Sequence, residues 1–151
     1  MRKKWQVLGA QDLGEDPYLD RLRILATPFF SIYLHHIRRE DYTPSHDHPW
    51  WFASLVLTGR YTELVYSDKH DPGSIKLSTN KRGSLHTMST KARHRIVHVS
   101  RPLWTLVLTG PPTNEKWGFF PEGVFTPWQE YEQRETVVAG WPSWKDQGVL
   151  K

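Results

Sequence analysis

The chain is 151 residues long, with 20 Lys and Arg against 16 Asp and Glu, a net charge of +4 and no cysteine. This length suits one domain with a core of its own. The missing cysteine excludes disulfides, thiolate metal sites and a cysteine nucleophile, and so small a positive charge does not imply nucleic acid as a partner.

Eight Trp, six Tyr and six Phe beside ten Gly and eleven Pro favour a β-rich, turn-rich fold over a helical bundle. Met1-Arg2-Lys3-Lys4-Trp5 is basic but no apolar run follows it, and no stretch approaches the roughly 18 apolar residues of a membrane span. A cytoplasmic protein with no membrane partner is expected. Gly9, Gly14, Asp16-Pro17 and Pro28 punctuate the start of the chain, and Tyr18–Leu25, with Leu19, Leu22 and Leu25 on one side, is predicted as a short helix. Phe29–Ile37 is the first strand and Arg38-Arg39-Glu40-Asp41 a polar turn. Trp50–Leu57 reads as a strand, Thr58-Gly59 as a turn and Arg60–Tyr66 as the returning strand. After the polar loop Ser67–Ser74 come short strands at Ser74–Leu77 and Ser84–Met88, with a turn at Asn80-Lys81-Arg82-Gly83. Ala92–Val99 and Leu103–Thr109 follow as two strands broken at Ser100-Arg101-Pro102; Trp117–Phe120 is the last, and residues 128–137 suit a helix. Many short strands without intervening long helices predict one all-β domain over residues 1–151. Its form is a small antiparallel β-barrel or jelly roll with short helical or irregular extensions at both ends.

The chemistry concentrates at His46-Asp47-His48-Pro49-Trp50-Trp51-Phe52. Two histidines one residue apart on an extended segment face the same side, because strand side chains alternate. They run into the apolar stretch Phe52–Leu57, as half of a metal site on a buried strand would. Further on, His94, Ile96 and His98 recur at alternate positions. Without cysteine, a metal must sit on His, Asp or Glu, which suits iron, manganese, nickel or zinc.

These residues resemble the two motifs of the cupins, small β-barrels that hold metal inside the barrel. The first motif, Gly, five residues, His-x-His, three or four residues, Glu, six residues, Gly, aligns over about 40–59: His46, His48 and Gly59 match, while Glu40 replaces the leading Gly and Phe52 the Glu. The second, Gly, five residues, Pro-x-Gly, two residues, His, three residues, Asn, aligns over about 83–98: Gly83 and His94 match, and Ser89, Lys91 and His98 replace Pro, Gly and Asn. The wording around them is also similar to small uncharacterised bacterial and phage cupins.

The resemblance implies His46, His48 and His94 as ligands of a divalent metal, with Trp50 and Phe52 walling the substrate pocket. Three-histidine sites of this kind are similar to those of thiol dioxygenases and some diketone-cleaving dioxygenases. Hence Fe(II)-dependent dioxygen chemistry on a small, anionic organic substrate is the expected function. Zn, Mn or Ni on the same site would suit isomerase, lyase or hydrolase chemistry instead. His98 is the candidate proton-transfer residue, or else a fourth ligand or a partner of one. A homodimer is implied by the resemblance alone.

Plainer readings stand beside these. A barrel that has lost its metal would keep the histidines for packing or for binding a small ligand without catalysis. One of His35 and His36 must face inward. His70 and His86 are expected at the surface, and Trp50, Trp51 and Trp104 in the core. Lys81, Arg82, Lys91, Arg93 and Arg95 form a basic, solvated cluster. Binding of nucleic acid through that face would be strongly salt-dependent.

Overall fold

The computed structural model describes residues 4–8, 18–113 and 115–131, the first of these segments by its backbone. The described strands are β1 (Lys4–Leu8), β2 (Leu19–Ala26), β3 (Ser31–Ile37), β4 (Phe52–Tyr66), β5 (Ile75–Lys81), β6 (Leu85–Met88), β7 (Arg93–Thr109), β8 (Gly118–Phe119) and β9 (Thr126–Pro127). The main sheet runs β1-β2-β3-β7-β4-β5, with β6 also on β4, and β8 pairs with β9. Every named pairing is antiparallel.

Two long strands carry this architecture. β4 has 15 residues and β7 has 17, and they pair from Phe52↔Thr109 to Tyr66↔Arg93. Each was expected as two strands, so both breaks are corrected. The ladder shifts register between Val56 and Thr58 and again between Thr58 and Arg60 without ending. Gly59 sits there at φ +73°, and a Cβ on it would lie 2.4 Å from the Pro102 carbonyl oxygen. The turn signals of the sequence mark a bulge that faces Pro102, where a side chain has no room.

Each long strand therefore serves two strips of the barrel. The start of β4 and the end of β7 lie between β6 and β3. The end of β4 and the start of β7 lie between β5 and the segment 41–46, which bonds to β7 through Asp41 N to Ile96 O and through His46 and His94. Phe119 of β8 continues that second strip beyond His46. Leu19, Ile37, Val56 and Leu103 from the first strip pack with Tyr61 and Ile96 from the second, and Phe52, Met88, Ala92 and Val107 form a further apolar cluster. The two strips bury one another, as a barrel requires.

Tyr18–Leu25 is a strand, not a helix. Leu19, Leu22 and Leu25 have helical spacing, but β2 pairs on both sides, with Leu8↔Leu19 and Arg21↔His35 among the partners. The inward position after Leu19 is Arg21, a charge that hides the period-2 pattern. Residues 128–131 are helical; the rest of the expected helix, 132–137, lies outside the described residues. Two of the expected core tryptophans are not core. Trp51 is 44% exposed and lies over Gly110, while half-buried Trp104 stacks on His36 at 4.4 Å. No helix among the described residues is long and apolar enough to cross a membrane.

Candidate metal centre

His46 and His94 are fixed opposite one another by reciprocal backbone hydrogen bonds, each amide donating to the other's carbonyl at 2.9 Å. Directly opposed residues of an antiparallel pair put their side chains on one face, and the two rings lie 4.8 Å apart. His48 comes round to the same side, with its Nε2 3.0 Å from His94 Nε2. One ring nitrogen from each of His46, His48 and His94 lies within 4.8 Å of the other two.

Behind His94 stands Glu63, fully buried on β4. His94 Nδ1 donates to Glu63 Oε2 at 2.7 Å. Asn80 Nδ2 donates to Oε1 at 3.2 Å. His86 Nε2 lies 2.8 Å from the same Oε1, at ion-pair distance though outside hydrogen-bond geometry. An ionised carboxylate only accepts, so the His94 proton belongs on Nδ1 and the Nε2 lone pair is left for the cavity. Metal-ligating histidines are oriented in this way, and the carboxylate makes them better donors.

The charges follow from this packing. Burial raises the Glu63 carboxyl, but the close approach of His86 and His94 outweighs it and brings the pKa down to about 2. Burial also depresses His94, yet its bond to Glu63 and the Glu63 charge leave it raised. His46 has no such partner: burial, then His94, lower it to about 4. His48 is held well below its ordinary value by burial and by His46, His94, Arg21 and His35. Near neutral pH, His46 and His48 are uncharged imidazoles, each with one nitrogen able to act as a ligand.

The His48–His94 pair fits a divalent ion. Two nitrogens about 2.1 Å from a shared ion and roughly 90° apart are about 3.0 Å from each other, the His48–His94 spacing. His46 brings one ring nitrogen to within 4.8 Å of the other two. Three neutral imidazoles suit most first-row divalent ions and do not select one.

The cavity in front of the histidines has a volume of about 150 Å³, and its wall includes Trp50, Phe52, Tyr18, Tyr61, Asp41 and Arg21. Phe52 meets the His48 ring edge-on at 5.1 Å, and Trp50 lies 6.3 Å from it. No family model matches the chain, and no curated protein does. Solved structures do. An RmlC-like cupin from Shewanella frigidimarina NCIMB 400 has a TM-score of 0.53 at 14% identity, over 76% of this chain and 87% of that one. The DMSP lyase DddQ from Ruegeria pomeroyi DSS-3 has a TM-score of 0.57 at 16% identity, over 78% of this chain and 60% of that one. Streptomyces Pac13, a nucleoside dehydratase, has a TM-score of 0.52 at 10% identity, over 76% and 84%. The chain has the cupin fold.

His98 does not reach the cavity. The β4–β7 ladder pairs Glu63 with Ile96 but Thr62 with His98, so Val97 is an extra residue on β7. That bulge reverses the alternation: Ile96 is buried while Val97 and His98 are exposed. The expectation of a ligand or proton-transfer role for His98 is corrected accordingly. The choice between His35 and His36 is settled by register. His35 faces the cavity, bonded to Arg21, and His36 faces out, bonded to Asp20 at 3.1 Å.

Glu63, His86 and Arg21 are the site residues that sequence reasoning missed. Glu63 shares inward parity with Tyr61, and His86 with Met88; a charge on the buried parity of a strand was the available signal. His86 is not at the surface, its side chain being only 13% exposed. Arg93 also departs from the solvated basic cluster. It is buried, donates to Ser45 Oγ at 2.8 Å and lies 3.7 Å over the Tyr66 ring.

Proposed function

We propose that this cupin is a metal-dependent enzyme acting on a small, anionic organic substrate. What carries the reading is the pair of facing nitrogens on His48 and His94, 3.0 Å apart, with His94 oriented from behind by buried Glu63. His46, His48 and His94 are the residues that would hold the ion. When bound, it would supply Lewis acidity and a template for a substrate oxygen. Phe52 and Trp50 keep water from one side of the cavity, which strengthens electrostatics within it.

The cavity also holds proton donors. Burial, then the charge and hydrogen bond of Asp41, raise the Tyr18 phenol well above its ordinary value, and burial followed by the Glu63 charge raises Tyr61. Both phenols stay protonated and can donate a hydrogen bond to a developing oxyanion. Such donors suit elimination or isomerisation of the bound anion, where an oxyanion develops. The lyase and dehydratase among the structural neighbours are in keeping with that class. Fe(II)-dependent dioxygen chemistry is the second reading. It is favoured by Phe52, which stands 5.1 Å from His48 where a carboxylate ligand is expected and leaves three neutral donors.

The two are separated by loading the protein anaerobically with Fe(II), and in parallel with Zn, Mn or Ni. Small carboxylates are then followed by NMR in D₂O and by oxygen uptake. Solvent deuterium incorporation or elimination without oxygen uptake supports proton transfer, and substrate-dependent oxygen consumption with Fe(II) supports the second reading. Saturable binding with neither reaction would reduce the proposal to a ligand-binding barrel.

A further inference from the structure

One row of side chains crosses the inner face of the barrel from β2 through β3 to β7. Register places Arg21 opposite His35 and His35 opposite Thr105. All three line the same cavity as the histidine triad. Arg21 is 7% exposed and Thr105 1%.

Arg21 is a buried cation with no carboxylate partner among the described residues. Its Nε donates to His35 Nε2 at 3.1 Å, and its Cζ lies 4.4 Å over the Tyr33 ring. No protein acceptor takes its two Nη groups among the described residues. His35 accepts through Nε2 and is therefore neutral, so it orients the guanidinium without balancing its charge. Burial and then Arg21 depress His35 accordingly. At the other end of the row, Thr105 Oγ1 is buried with no hydrogen-bond partner. An unpaired buried charge and an unpaired buried hydroxyl each carry a desolvation cost that a ligand would relieve. The Nη edge of a guanidinium presents parallel donors matched to the two oxygens of a carboxylate.

We infer that Arg21, with Thr105 two strands away on the same wall, forms the subsite for a substrate carboxylate. The inference rests on the reading of this cavity as a substrate site. One cation and one hydroxyl balance a monoanion; a phosphate dianion asks for more donors than the row offers. A cavity of about 150 Å³, below the roughly 300–1,000 Å³ of drug-sized pockets, suits a short-chain acid. Its other end would point at His46, His48 and His94.

The test uses acetate, acetamide and inorganic phosphate as probes, titrated by NMR into the metal-free native protein and into Arg21→Met, Arg21→Lys and Thr105→Val. Metal content after loading is measured on each. Acetate should bind the native protein, and acetamide and phosphate far more weakly. Arg21→Met should weaken acetate by roughly 10- to 100-fold, the worth of charge-assisted hydrogen bonds. Arg21→Lys should fall in between, since it keeps the charge and loses the fork. Thr105→Val should weaken acetate by a few-fold, and all three variants should still load metal as the native protein does. Equal acetate affinity in the native protein and Arg21→Met, or preference for phosphate, or no acetate binding at all, would overturn the inference even if the metal site stands. Arg21-dependent acetate binding in a protein that never takes up metal would uphold the subsite while the metal-dependent reading fails.

Discussion

Replacing Glu63 by Gln probes the link between the barrel wall and the histidine triad. The carboxylate is fully buried and takes the His94 Nδ1 proton at 2.7 Å. Gln keeps the shape and one acceptor oxygen but removes the charge that holds His94 in the tautomer with Nε2 free. Losing such an outer partner typically costs 10- to 100-fold in metal affinity, about 1.4–2.7 kcal/mol. Competition for Zn(II) or Co(II) against a chromophoric chelator should show this loss in Glu63→Gln. The effect should largely disappear when the same change is made in a His94→Ala background, since the coupling runs through that ring. Affinity unchanged within twofold, or an equal loss in both backgrounds, would refute the claim that Glu63 acts by orienting His94.

Three further outcomes follow from the structure. In the presence of chelator, stability should fall as the pH drops from about 6.5 to 4. Over that window the unfolded chain protonates His46 while the folded chain, at about 4, does not, which removes about 3 kcal/mol. His48 acts in the same direction. His94, whose folded value is raised, contributes stability that is complete below this window's upper end and fades at higher pH, and Glu63 adds a further loss only as the pH falls from about 4.5 towards 2. Urea melts across this range check the slope, and a flat profile would contradict it. Gly59→Ala should cost about 2–4 kcal/mol in the same assay, because the residue is left-handed and its Cβ would meet the Pro102 carbonyl at 2.4 Å. His98→Ala should change stability by less than about 0.5 kcal/mol and leave metal uptake intact, because the side chain is exposed on the far side of a bulge.

The apolar alternation of β3, β4 and β7 made the all-β class readable from the sequence, and the His46–His48 spacing with a second histidine at 94 pointed to the triad. The long-range facts were not readable. Gly59 and Pro102 look like chain reversals locally, but the strands continue because β4 and β7 pair through the irregularity on both sides of it. Alternation carried from His94 to His98 fails at Val97, since a bulge is a property of the pair and not of one strand. Glu63 and Arg21 were passed over for the same reason in reverse. Each is a charge on an inward position, and only the cross-strand partners, His94 and His86 for one and His35 for the other, explain why it is tolerated there.

The central claim is that His46, His48 and His94 hold a divalent metal in one cavity. Elemental analysis of protein purified without a histidine tag, beside a His46→Ala/His94→Ala double variant, tests it most directly. Near-stoichiometric metal is expected in the native protein, as isolated or after anaerobic reconstitution with Fe(II), and its loss in the variant. Native protein that takes up no metal under either condition, or metal retained undiminished by the double variant, would contradict it.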